Sequence, residues 1–405
     1  MIVMYPILAF TVGFILVYFS IPTIIHVARA KHLYDEPNER TASMKIVPTL
    51  GGVAIFIGLT ISTIIGTNGF TFNELKYVIA AVIIMLFVGL KDDILTISAR
   101  KKLYVQILTA AILVTLGDFR FTSFHGLLGI HEIDHVTSFF ISCFTIIVLI
   151  NAFNLIDGID GLAAGVSMIT ALTFGIWFLL SGHSEYGIMC LGLVGSLAAF
   201  FLYNVFGNTN KIFMGDTGSL ILGITMSVIV IKFNEFNVNT DSTYAVLSAP
   251  AVSIGILIVP VIDTLRVFFI RLSEKRSPFS PDMNHIHHRL LKLGNTHFRA
   301  TSIIVTVNTA FIFLSFGLSN FFEINSLLII VFSLGLAIGY LPSFLLKYQK
   351  DELNSFAVFN LRQNRLESKR LKFRPGLYMT KEETEKIPVK KNNKARFKKA
   401  EKLEI

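Results

Sequence analysis

From Tyr5 to Val27 the chain contains no Asp, Glu, Lys or Arg, and runs of this kind recur almost to residue 346. About twenty apolar residues in helix cross ~30 Å of hydrocarbon. A chain built from such blocks folds around lipid and helix rather than around one soluble core. Composition agrees. Charged residues make up 16% of the sequence, against roughly 25% in soluble domains. The expected fold is an all-α polytopic membrane protein.

Eleven spans are expected, near 5–27, 50–66, 75–91, 104–117, 137–153, 162–181, 187–206, 218–232, 246–270, 301–319 and 325–346. The loops 28–49, 92–103, 154–161, 207–217 and 271–300 carry fourteen Lys and Arg residues, against Lys76, Arg120 and Lys232 in or beside the alternate loops. The positive-inside bias then puts the N-terminus outside and the C-terminus in the cytoplasm. The long alternate loop, Gly117 to Val136, alternates apolar and polar residues and suits a small hairpin.

The formal charge of +9 is a property of the tail. From Lys350 onward there are 16 Lys and Arg against 8 Asp and Glu, while the other 349 residues carry 20 against 19. A nucleic-acid footprint is therefore not expected. Residues 1–347 read as the membrane domain, and 348–405 as a basic, mostly disordered cytoplasmic tail suited to anionic lipid. Cys143 and Cys190 lie in apolar runs and read as small core residues. The first span lacks the basic n-region of a cleavable signal.

Polar residues with chemical potential gather in the loops assigned to one face. In GLKDDIL, Asp92 and Asp93 close the third span. Adjacent helical residues point about 100° apart, so the two either do separate work or mark a helix end reaching water with Lys91 as counter-ion. The stretch NAFNLIDGIDGLAAG follows a hydrocarbon run. In it Asn151, Asn154, Asp157 and Asp160, spaced by three, sweep one broad helical face. Acids and amides at such depth are costly unless a ligand uses them. In FMGDTGS, Phe213 offers a ring and Asp216 opens a helix, which reads as a phosphate–metal site or as an ordinary N-cap. The cluster HIHHR brings His285, His287, His288 and Arg289 without cysteine, a set better suited to phosphate oxygens than to zinc. Carboxylates from separate spans beside histidines and basic groups describe a site for a nucleotide diphosphate and a hard cation. A lipid acceptor would enter from the bilayer.

KDD at 91–93, NAFNLIDGIDGLAAG, FMGDTGS, NHIHHRL at 284–290 and PTLGG at 48–52 occur in an order that resembles the polyprenyl-phosphate N-acetylhexosamine-1-phosphate transferases, glycosyltransferase family 4. The resemblance covers residues 1–347. It implies transfer of a sugar-1-phosphate from a UDP-sugar to undecaprenyl phosphate, with release of UMP. The His-Ile-His-His-Arg order is similar to the UDP-GlcNAc branch, which starts teichoic acid, O-antigen and related polymers. The sister branch, phospho-MurNAc-pentapeptide translocase, carries a run of three histidines. The implied cofactor is Mg2+, with Mn2+ as a substitute. The implied partners are UDP-GlcNAc, undecaprenyl phosphate and the bilayer of the plasma membrane, and a homodimer stays open.

By motif, Asp216 and Asp93 correspond to metal ligands, and Asp92, Asp93, Asp157 and His287 to catalytic residues, with Asp92 as the candidate base for the lipid phosphate. Asn151, Asn154, Asp157 and Asp160 correspond to nucleotide and sugar contacts, Phe213 to a uracil platform, and His285, His287, His288 and Arg289 to diphosphate or sugar contacts. Lys45 corresponds to the uridine end. Two other classes fit less well. A secondary transporter wants polar groups at mid-span, and a CDP-alcohol phosphotransferase wants an Arg soon after the Asp-Gly where this chain has Leu162-Ala163-Ala164.

Overall fold

The computed structural model describes residues 4–33, 47–67, 74–240, 242–277 and 283–372. Its elements are α1 (Met4–Ala30), α2 (Gly51–Thr67), α3 (Leu75–Leu95), α4 (Ala99–Leu116), β1 (Ser123–Leu127), β2 (Ile130–Glu132), α5 (His135–Ile156), α6 (Leu162–Leu180), α7 (Ser184–Phe206), α8 (Gly215–Phe236), α9 (Ala249–Ile256), α10 (Ile258–Ser273), α11 (Ile286–Lys292), α12 (His297–Leu318) and α13 (Ile324–Lys372). Contacts divide the chain into Met1–Leu346 and Lys347–Ile405. Of the tail, the described part to Lys372 is helical, and residues 373–405 lie outside the described residues.

The protein is a polytopic helical membrane protein with one small hairpin. A helix occupies each stretch expected to span, but length and composition support seven crossings, or eight if α9 and α10 form one. Three helices fall short for physical reasons. α2 has only 17 residues, α3 carries Lys91, Asp92 and Asp93 near its C-terminal end, and α4 carries Arg100, Lys101 and Lys102 in its first turn. The hairpin forms where alternation predicts it, with Ser123 opposite Glu132 and Leu127 opposite Ile130.

The ninth expected span, 246–270, is not one helix. It breaks at Leu257 into α9 and α10, which meet at 79°. Pro260 has no N–H to donate to the carbonyl of Ile256, so the α-helical ladder cannot run through this point.

α8 is the axis of the bundle. It is buried almost throughout and packs against α2, α3, α5, α6 and α9. The C-terminal ends of α3 and α5 and the N-terminal ends of α4 and α8 meet at one end of the bundle. The hairpin and the opposite ends of these helices lie at the other, separated by a helix of 22 residues, about 33 Å at 1.5 Å per residue.

Candidate active site

The start of α8 is assembled from three pieces of chain. Residues 48–52 and 213–214 form a short backbone ladder: Phe213 N donates to Pro48 O at 2.8 Å, Gly51 N to Phe213 O at 2.9 Å and Gly52 N to Met214 O at 2.9 Å. A Cβ on Gly52 would lie 2.1 Å from Gly218 N, so PTLGG needs glycine here to seat α2 against α8. Met214, the residue before α8, supplies no side-chain cap. Asp93 of α3 supplies it instead. Its Oδ1 accepts from Asp216 N at 2.7 Å, and its Oδ2 accepts from Thr217 N at 3.0 Å and Thr217 Oγ1 at 2.6 Å.

Asp92 and Asp93 therefore do separate work. Asp92 turns to the α3–α4 corner, where it accepts from Ile97 N at 2.7 Å and from Lys102 Nζ at 3.0 Å. The same Lys102 ammonium lies 2.8 Å from Asp216 Oδ1. One cation thus sits between two carboxylates, from α3 and α8. Asn154 of α5 donates through Nδ2 to Asp216 and, at 2.8 Å, to Ser219 Oγ.

Asp157 ends α5 beside this group. Among the described residues no hydrogen bond reaches its carboxylate. Burial first, and then the charges of Asp216, Asp93 and Asp160, push its pKa up to about 7. Asp160, three residues on, has the opposite fate. Burial pulls its carboxyl up, but hydrogen bonds from His297 Nδ1 at 3.0 Å and Lys211 Nζ at 2.7 Å outweigh this and hold it below the usual carboxylate range. Lys211 also stands 5.5 Å from the centre of the Phe213 ring.

The histidine motif reaches the same place from α11. His287 is 2% exposed, and a Cβ on Gly158 would lie 2.2 Å from its Nε2. Glycine next to Asp157 is what lets the ring approach. Both ring nitrogens of His287 are buried without a hydrogen-bond partner among the described residues. Burial pushes its pKa down to about 3, so the imidazole is neutral at pH 7. His288 lies 4.2 Å from His287, centroid to centroid, and Arg289 donates to Asn284 Oδ1.

Asp92, Asp93, Asn154, Asp157, Asp160, Asp216 and His287 thus meet at one end of the bundle. Two expected contacts point elsewhere. Asn151 donates to Gln106 Oε1 of α4 at 2.9 Å and to Ile147 O at 2.7 Å, which ties α5 to α4. His285 turns to Asp263 of α10 at 2.9 Å. Lys45 lies outside the described residues. Lys102, Lys211 and His297 join the site, although their sequence context marks them only as basic or polar loop residues.

Asp92 and Asp216 share one ammonium, Asp157 has no ion-pair partner among the described residues, and Asp93 adds a fourth charge balanced only by N–H and O–H groups. This excess of negative charge suits a multivalent cation. Among the described residues no three His, Cys, Asp or Glu side chains form a ready metal cage. Two carboxylates converging on one positive centre do fit the sparse protein ligation of a hard cation that takes its other ligands from phosphate.

Fold and site together define a class: a polytopic helical membrane protein with an acidic, oxygen-rich site at one end of its bundle. Residues 75–234 match the family model of glycosyl transferase family 4. The chain is 32% identical over 291 residues to the decaprenyl-phosphate N-acetylglucosaminephosphotransferase of Mycolicibacterium smegmatis, covering 66% of this chain and 71% of that protein. It is 28% identical over 294 residues to the undecaprenyl-phosphate alpha-N-acetylglucosaminyl 1-phosphate transferase of Escherichia coli K12, covering 70% of this chain and 76% of that protein. The chain belongs to glycosyl transferase family 4.

Proposed function

We propose that the protein transfers GlcNAc-1-phosphate from UDP-GlcNAc to undecaprenyl phosphate and releases UMP, as the first membrane step of a cell-envelope polysaccharide such as teichoic acid or O-antigen. The printed activities of the two relatives support this reaction. The observation that carries it is the single cation shared by Asp92 and Asp216, with Asp157 uncompensated beside them. In the proposed arrangement the eleven helical bodies cross the plasma membrane, the N-terminus is outside, and the site faces the cytoplasm, where UDP-sugars are made. Residues 1–347 form the catalytic domain, and the tail lies outside it.

An oxygen of the acceptor phosphate attacks the phosphorus that bears GlcNAc, and the bond from that phosphorus to the bridging oxygen breaks as UMP leaves. Asp216 and Asp92 would hold Mg2+ or Mn2+, which supplies neutralisation of the diphosphate charge when bound. Asp93 serves this set indirectly, since both its oxygens already hold the start of α8. Asp157 rather than Asp92 is the proton acceptor for the lipid phosphate, because its carboxylate has no hydrogen bond among the described residues and burial raises its pKa, whereas Asp92 is held by Ile97 N and Lys102. Lys102 is displaced from between the carboxylates onto phosphate oxygens, and neutral His287 orients the diphosphate. Phe213 and Asn154 face the nucleotide, and Asp160, held by Lys211 and His297, shapes the sugar end. Catalysis here is positioning and charge neutralisation, as phosphoryl transfer requires.

An apolar cavity of about 310 Å³ lies against the other side of α11, bounded by Ile258, Ile262, Leu290, Ile304 and Phe311. It gives the isoprenoid tail a place next to the histidine helix. The test is a transfer assay with radiolabelled UDP-GlcNAc, undecaprenyl phosphate and purified protein. UMP and labelled lipid should appear, and chelation should stop both. Turnover with UDP-MurNAc-pentapeptide and none with UDP-GlcNAc would move the protein to the peptidoglycan branch.

A further inference from the structure

α10 carries three charges that belong to none of the sequence motifs, Asp263, Arg266 and Arg271, and the first two lie against each other. Asp263 is 2% exposed and Arg266 is 1% exposed. Burying such a pair is costly unless its groups are hydrogen-bonded; Arg266 Nε has no partner among the described residues, and the other groups converge on the histidine motif. Arg266 Nη2 lies 3.4 Å from Asp263 Oδ1 and donates to Asn284 O, while Nη1 donates to Ser343 Oγ at 3.3 Å. Asp263 Oδ1 accepts from Ile286 N at 2.9 Å, and Oδ2 accepts from His285 Nδ1 at 2.9 Å. His285 itself gives α11 no side-chain cap. The cap comes from Asp263, twenty-three residues upstream of Ile286. The His285 ring lies parallel to His287, at 5.6 Å and 8°, and His287 presses on Gly158 beside Asp157.

We propose that Asp263 is a positioning residue for the transfer reaction. Its carboxylate fixes the Nδ1-protonated form of His285 and starts α11, and so sets His287 against Gly158 and Asp157. Arg266 balances the charge of Asp263 and grips the preceding loop. Asp263 touches no substrate and acts through His285. The inference rests on the reaction proposed above for its kinetic readout, and it differs from a purely structural role in what it predicts. A structural pair would lower stability and activity together, with penalties that multiply with those at His285.

The experiment uses the full chain with the variants Asp263→Asn, Asp263→Glu, His285→Gln and the double variant Asp263→Asn/His285→Gln. Removing the hydrogen-bond partner that orients a metal-bound histidine costs roughly 10–100-fold, and the same orienting geometry sets the scale here. The expected result is a kcat loss of that size in both Asp263→Asn and His285→Gln, with KM for UDP-GlcNAc within about threefold. Because the two act as one unit, the double variant should be no worse than the weaker single one. Asp263→Glu, which keeps the acceptor, should recover part of the loss. Multiplying penalties, or wild-type kcat in Asp263→Asn, would overturn the proposal. A second measurement is independent of substrate. In Asp263→Ala, hydrogen exchange of 286–292 should quicken at least about tenfold, because the helix start loses its only cap among the described residues, while α8 stays protected. Unchanged exchange would also overturn the proposal. A wild type that fails on UDP-GlcNAc, together with quickened exchange in Asp263→Ala, would instead sink the transfer reading and leave the cap standing.

Discussion

The two ends of α8 carry charge in opposite ways. At its C-terminal end Lys232 lies 2.8 Å from Glu74 and stacks over Phe119 at 4.7 Å, and Glu235 accepts from Thr122 N and Oγ1, each at 2.8 Å. There Lys232 and Glu74 pair one to one, and both oxygens of Glu235 are held by Thr122. At the N-terminal end Asp92 and Asp216 divide one lysine, and Asp157 has none among the described residues. Both ends are buried in the same bundle, so depth alone does not mark function. A balanced end holds helices together, whereas an unbalanced end keeps free energy available for a ligand.

This contrast can be broken from either side. The largest effect belongs to the unbalanced end. Asp216→Asn should cut UMP release by about 10³-fold or more, as expected when a group stabilising transition-state charge is lost, and size-exclusion behaviour should stay native. Normal turnover in that variant would remove Asp216 from the chemistry. The balanced end should answer in stability instead. Lys232→Met leaves Glu74 without its cation and should cost about 1.5–3 kcal/mol, seen as a lower Tm in detergent with kcat within about twofold.

A third prediction uses pH. In the folded protein the Asp157 carboxyl titrates at about 7, against an ordinary value of 3.8. The folded state then binds this proton more tightly than the unfolded chain. The contribution of Asp157 to stability is most favourable below about pH 4, falls as pH rises toward 7, and then levels off. Without ligand, Tm should drop by roughly 2–4 °C more between pH 5 and pH 8 in the wild type than in Asp157→Asn. Equal slopes would show that Asp157 is compensated after all. The smallest effect is expected from the tail. Deleting the residues after Lys350 should leave kcat within about twofold, and complete loss would place the tail in the site.

Much of this was legible from residue types and spacing. Apolar blocks located the helices, and motifs spaced along the loops located Asp92, Asp157, Asp216 and His287. What stayed hidden depends on partners far apart in the chain. Lys102 reads as one more basic residue until α8 brings Asp216 to it across 114 positions. His297 meets Asp160 across 137. Asp263 and Arg266 look like stray charges in a span, since nothing local shows that His285 will fold back onto them. Asn151 and His285 share their spacing with residues of the acidic cluster, yet their side chains turn to Gln106 and Asp263. The break at Leu257 did have a local signal in Pro260, but the apolar run through it reads as one crossing.

The cap of α8 has a consequence for biogenesis. The first turn of this helix takes its cap from Asp93, 123 positions upstream of Asp216, and without a cap a helix start frays. Asp216 therefore acquires its working orientation only once the third and eighth helices have docked. A nascent chain halted before these two helices dock would carry both acidic motifs without that cap, and the start of α8 would fray.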